Sequence, residues 1–177
     1  MGFDLATFTL VHVALSLLGI VAGLVVAGGL ISGRRLDGWT GAFLLTTALT
    51  NLSGFGFPFV RFLPAHGVGI VSLLLLPLVL YALYGRKLAG TWRTMYVVAA
   101  VTLLYLNVFV LVAQLFLRTP ALIVAAPTQT EPPFLITQLG VLALFVWLGK
   151  AAVRGFAADA RADGLMPVSP ARTPARL

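Results

Sequence analysis

Of the 177 residues, 60% are hydrophobic and only 10% charged, and a mean hydropathy of +1.03 is beyond what a water-soluble domain of this length carries. The net charge of +7 comes without a basic, aromatic-interleaved soluble segment, so it points to membrane topology and anionic lipid rather than nucleic acid. With no cysteine in the chain, disulfides, thiol catalysis, Cys-ligated iron–sulfur clusters and covalent c-type haem are excluded.

A span needs about 20 apolar residues, at about 1.5 Å each, to cross roughly 30 Å of hydrocarbon. Five segments meet that measure, approximately Thr7 to Ile31, Thr40 to Phe57, Pro64 to Tyr84, Thr94 to Leu117 and Phe134 to Val153. The predicted fold is therefore all-α, a polytopic membrane bundle of five transmembrane helices in a single domain over residues 1–156. The apolar runs are uninterrupted, whereas a barrel's lipid and lumen faces would alternate.

The opening "MGFDLATF" lacks the cationic region that precedes a cleavable signal, so the first helix is expected to stay. In that helix His12, Ser16, Gly19 and Gly23 follow one face at three- and four-residue steps, and the Gly19–Gly23 spacing predicts close packing. The second span carries Thr47, Asn51 and Gly54 on one face and runs into "GFGFPF". In "FLPAHGVGIVSLLLLPLVL" the third span opens at Pro64 with His66 in its first turn, and Pro77 predicts a kink by removing a backbone hydrogen bond. Asn107 and Gln114 share a face of the fourth span, and Gln138 lies near the start of the fifth. Between these two, "RTPALIVAAPTQTEPPF" has an apolar middle too short to span and prolines that argue against a continuous helix. It is expected on the headgroups or as a cap over the bundle mouth. The Ala-, Arg- and Pro-rich segment 157–177 reads as a disordered cytoplasmic tail.

Charge orients the bundle. Ten of the twelve cations fall in "GRRLDGW", in "GRKLAGTWR" and from Lys150 onward, while Arg61 and Arg118 fall on the other side. By the positive-inside rule the amino terminus is outside and the carboxyl terminus cytoplasmic. "GRRLDGWT" and "GRKLAGTW" also resemble each other at an offset of 52 residues. That likeness points to two parallel hairpin repeats followed by a fifth helix, or to the ordinary preference of Gly, cations and Trp for cytoplasmic helix ends.

Polar groups in hydrocarbon are costly unless paired, so their placement carries the functional signal. His12, Asn51, His66, Gln114 and Gln138 fall in the outward halves of their spans, Asn107 lies near mid-depth, and Glu131 sits in the external connection. The first reading is non-catalytic: this outer cluster binds a partner or small hydrophobic ligand, or ties helices together. The second makes His12 and His66 the two axial ligands of a b-type haem, since the first and third spans run in one direction with both rings at similar depth. The third is a small transporter acting as a dimer. The spans hold no paired carboxylates, no metal-ligand spacing and no nucleophile triad, so neither catalysis nor a metal centre is expected.

"RRLDGWT", "NLSGFGFPF", "LPAHGVGIVSL", "LYLNVFVLVAQ" and "APTQTEPPF" resemble segments of an uncharacterised family of small bacterial multi-pass inner-membrane proteins. The resemblance covers about Val11 to Phe156. It implies a helical fold in the bacterial inner membrane and no activity or ligand.

Overall fold

The computed structural model describes residues 4–57 and 64–162, with side chains through 157. Six α-helices follow one another: α1 (Leu5–Ile31), α2 (Asp37–Gly54), α3 (Pro64–Leu80), α4 (Thr91–Arg118), the short α5 (Pro120–Ala125) and α6 (Pro132–Ala162). Among the described residues there is no strand. Four helical stretches are long and apolar enough to cross a membrane: Leu5–Ile31, Ala65–Gly85, Thr91–Arg118 and Pro132–Ala157. The second expected span is a helix too, but α2 is not apolar enough to join them.

Local chemistry sets the ends. Asp4 caps α1, its Oδ1 accepting from the Ala6 amide at 3.3 Å. At the other end the Arg34 amide reaches back to the Gly29 carbonyl at 2.8 Å around Gly33, whose φ of 74° suits a residue without a Cβ. Arg35 then pairs with Asp37 in the first turn of α2, where a carboxylate meets the positive end of the helix dipole.

The connection before α4 is built differently. Pro77 lies inside α3, which ends in a π-helical turn, Tyr81–Gly85, closed by the Arg86 amide on the Tyr81 carbonyl at 2.8 Å. Lys87 and Leu88 then take left-handed φ values of 47° and 58°. The sequence likeness of the two connections thus does not extend to their backbone paths.

The helices close a ring in the order α1, α2, α3, α4, α6, back to α1, and α1 also touches α4 across the middle. Helix α4 is the most buried: Tyr96, Val97, Leu103 and Leu104 are almost wholly enclosed, against Leu30 of α1, Phe43 of α2 and Val79 of α3. Glycines set the closest approaches. Gly19 faces α2, where an added methyl would meet Thr46, and Gly23 sits where α2 and α4 converge, an added methyl there striking Leu104 and Phe43. At Gly155 of α6 it would run into the Ile31 carbonyl at the end of α1. The outward surface is a coat of aliphatic side chains such as Leu10, Leu18, Leu74 and Leu139.

Beyond α4, the connection to α6 folds as α5 and a turn. Phe116, Ala126 and Phe134 form a small separate core that ties this segment to the ends of α4 and α6. Helix α6 continues to Ala162, past Phe156, where the sequence reading ends the domain. Arg61 and the remainder of the expected tail, 163–177, lie outside the described residues.

Candidate functional site

Helix α2 turns a stripe of threonines inward alongside Phe43 and Leu44. Thr40, Thr47 and Thr50 are buried, whereas Ala42, Leu45, Leu49 and Leu52 are exposed. This is an inside-out amphipathic helix, whose polar stripe meets polar groups on its neighbours. Asn107 of α4 donates from Nδ2 to the Thr47 hydroxyl at 3.0 Å, with both side chains buried. Near the other end, Thr40 and the Tyr96 hydroxyl of α4 lie 3.4 Å apart. Asn51 donates to the Thr47 carbonyl of its own helix at 2.7 Å, and its Oδ1 faces Gly69 of α3.

The two histidines flank the end of this helix. His12 Nδ1 stands 2.8 Å from the Ser53 hydroxyl, and its ring meets Phe57 edge-on at 5.2 Å between centroids. Phe8 adds a further edge contact to Phe57 at 4.9 Å. On the other flank His66 of α3 lies 6.0 Å from the Phe55 ring. Helix α2 packs on both α1 and α3, whereas those two helices make at most slight contact. The sequence placed both rings at one depth, and the structure puts the end of α2 between them. A haem plane shared by His12 and His66 would need that space, and Ser53 and Phe57 already hold one ring.

The remaining polar residues form a second group on α4, α6 and the turn between α5 and α6. Gln138 is buried and donates to the Phe109 carbonyl at 3.2 Å, tying α6 to α4. Gln114 accepts from Arg118 Nε at 3.2 Å, one turn along its own helix. Gln129, at a left-handed φ of 60°, donates to the Ala113 carbonyl at 2.7 Å and pins the turn to α4. Glu131 folds back on its own turn, accepting from the Thr128 hydroxyl at 2.7 Å and from the Thr128 and Thr130 amides. The Thr128 hydroxyl foremost, with those amides, holds the carboxyl below its ordinary value. Asn51, Asn107 and His12 are thus gathered along α2, while Gln114, Gln138 and Glu131 are not part of that seam.

The Thr50 and Ser72 hydroxyls and Gln138 Oε1 are buried and make no hydrogen bond among the described residues. Thr50 lies one turn from Ser53, and Ser72 one turn from the Gly69 that faces Asn51. The sequence reading missed Ser53 and Ser72. Serines are common in transmembrane helices, and what distinguishes these two is only visible once the neighbouring helix is in place. Among the described residues no group of three or more His, Asp or Glu side chains comes together as a metal site would require. The chain matches no family model, no curated protein and no solved structure.

Proposed function

We propose that the chain is a non-catalytic integral protein of the bacterial inner membrane with five crossings, amino terminus outside and carboxyl terminus cytoplasmic. In this reading it binds a small hydrophobic ligand bearing one polar group at the outer end of α2. The supporting observation is that the Thr50 and Ser72 hydroxyls are buried without a partner among the described residues, Thr50 one turn from the Ser53 that meets His12 and Ser72 one turn from the Gly69 that faces Asn51. A buried hydroxyl without a partner costs about 1–3 kcal/mol, and a ligand's polar group would supply the missing bond.

The fifth crossing is supported by the inside-out character of α2. Its 18 residues reach about 27 Å, close to the hydrocarbon thickness, and beyond its first turn the exposed stripe, Ala42, Leu45, Leu49 and Leu52, is apolar. Because the chain has no cysteine, single-cysteine variants report sidedness cleanly. If α2 crosses, Ser32→Cys and Ala89→Cys label from one side, and Ala6→Cys and Ala121→Cys from the other. Labelling of Ala89→Cys together with Ala6→Cys would remove α2 from the spanning set.

The ligand is tested by solvent extraction of protein purified from bacterial membranes. One apolar compound should appear in stoichiometric amount and be depleted in His12→Ala and His66→Ala preparations of unchanged circular dichroism. Extracts that hold only bulk lipid in all three preparations would overturn the binding reading.

A further inference from the structure

A groove of about 430 Å³ runs between α4 and α6 on the lipid-facing side of the bundle, away from every polar residue of the α2 seam. Its floor is Val101 of α4 and Phe145 of α6, both buried, and Gly149 opens its middle by contributing no side chain. From Leu142 at one end to Arg154 at the other is twelve residues of α6, about 18 Å of helix. That length matches one leaflet, half of roughly 30 Å of hydrocarbon plus the start of the headgroup layer.

The chemistry of the groove changes along its length. It is aliphatic and aromatic from Leu142 to Gly149, and then Lys150 and Arg154 line its last turn. Four residues apart, these two cations stand one above the other on the same face. Both are exposed, and neither has an ion-pair or hydrogen-bond partner among the described residues. Like charges at this spacing repel each other, so a bound anion relieves a standing cost as well as filling the rim.

We propose that this groove holds one acyl chain of an anionic glycerophospholipid, with the phosphate between Lys150 and Arg154. A tail-length apolar slot that ends in two unpaired cations at headgroup depth is the complement of that molecule, and basic recesses between transmembrane helices are suited to such headgroups. A second copy of the chain is a poor complement. It would bring further cations, Arg34, Arg35, Arg86 and Lys87, to the same side, where Asp37 is already paired with Arg35. The inference uses only α4 and α6 and is independent of the ligand reading above.

Native mass spectrometry of delipidated protein tests it, with phosphatidylglycerol and phosphatidylcholine of identical chains as probes. Phosphatidylglycerol should be retained in preference, and Lys150→Ala with Arg154→Ala should weaken it by about fivefold for each cation removed. Gly149→Leu, which fills the slot and leaves the charges, should lower the retention of both lipids. Arg34→Ala with Arg35→Ala should leave it unchanged. Equal retention of the two lipids, or equal loss from the Arg34 and Arg35 variant, would reduce the site to diffuse charge and overturn it. So would a Gly149→Leu variant that converts a dimer to a monomer while its lipid count stays constant, which would assign the groove to self-association.

Discussion

Adding one methyl group at Gly155 and, separately, at Gly149 isolates a backbone collision within a single helix. Both residues lie inside α6, so each alanine gains the same intrinsic preference over glycine, about 0.8–1.0 kcal/mol. At Gly149 the new Cβ would find only Val101 Cγ1 at 3.6 Å, an ordinary contact. At Gly155 it would strike the Ile31 carbonyl and lie 2.9 Å from the Leu30 carbonyl oxygen. Neither obstacle is a side chain that can rotate away, so α6 must move off α1 or α1 must lose its last turn. Overpacking of this kind costs about 1–3 kcal/mol, and rigid backbone places it toward the upper end. The helix-preference gain cancels in the comparison, leaving Gly155→Ala less stable than Gly149→Ala by that amount. Unfolding in mixed detergent micelles, followed by circular dichroism, measures the difference. Two variants within about 0.5 kcal/mol of each other, the ordinary tolerance for independent sites, would refute the α1–α6 contact.

A double-mutant cycle on Thr47→Val and Asn107→Leu should return a coupling of about 0.6 kcal/mol, with about 1.7 as the ceiling for such bonds. Additive effects would dissolve the bond between α2 and α4. Asp37→Asn should alter stability by less than about 1 kcal/mol, because its pair with Arg35 is solvent-exposed; a larger loss in a micelle melt would show the pair to be structural. At Arg35 the pairing raises the guanidinium above its already high ordinary value, so no pH dependence is expected from it in the usual range. Glu131 behaves oppositely. Its folded value is lowered, so its support of the turn between α5 and α6 is complete above the ordinary carboxylate range and is lost only as pH falls through that lowered value. The amide chemical shifts of Thr128 and Thr130 should titrate together below the usual glutamate midpoint and stop doing so in Glu131→Gln.

Lipid-facing helices announce themselves in sequence because the solvent they meet is uniform. The spans around Leu18, Leu74, Val101 and Leu142 needed only apolar length, and the Gly19–Gly23 face needed only helical spacing. Helix α2 is expected as a span from its central run, but Asp37, Asn51 and its threonines hold its hydropathy below its neighbours', and the threonines face inward. Their cost is offset by Asn107 and Tyr96, sixty and fifty-six residues away in the chain. No local pattern encodes those partners. The histidines show the same boundary. Equal depth follows from counting residues, whereas the interposition of Ser53 and Phe57 depends on the order of helices around the ring. Gln114 errs the other way: Arg118, its partner four residues on, was within local reach.

The polar stripe of α2 also constrains how the chain is made. Newly made helices enter the membrane in order, and α2 emerges before α4 exists to receive Thr40 and Thr47. Until then its hydroxyls must stay sheltered, and the neighbour already present is α1, with the glycine face that packs on α2. If α2 crosses the membrane, the cost of exposing that stripe to lipid favours insertion as an α1–α2 pair, held until Asn107 and Tyr96 arrive. In that case the glycines of α1 act before the native bundle is complete, as a temporary lining for the polar stripe of α2.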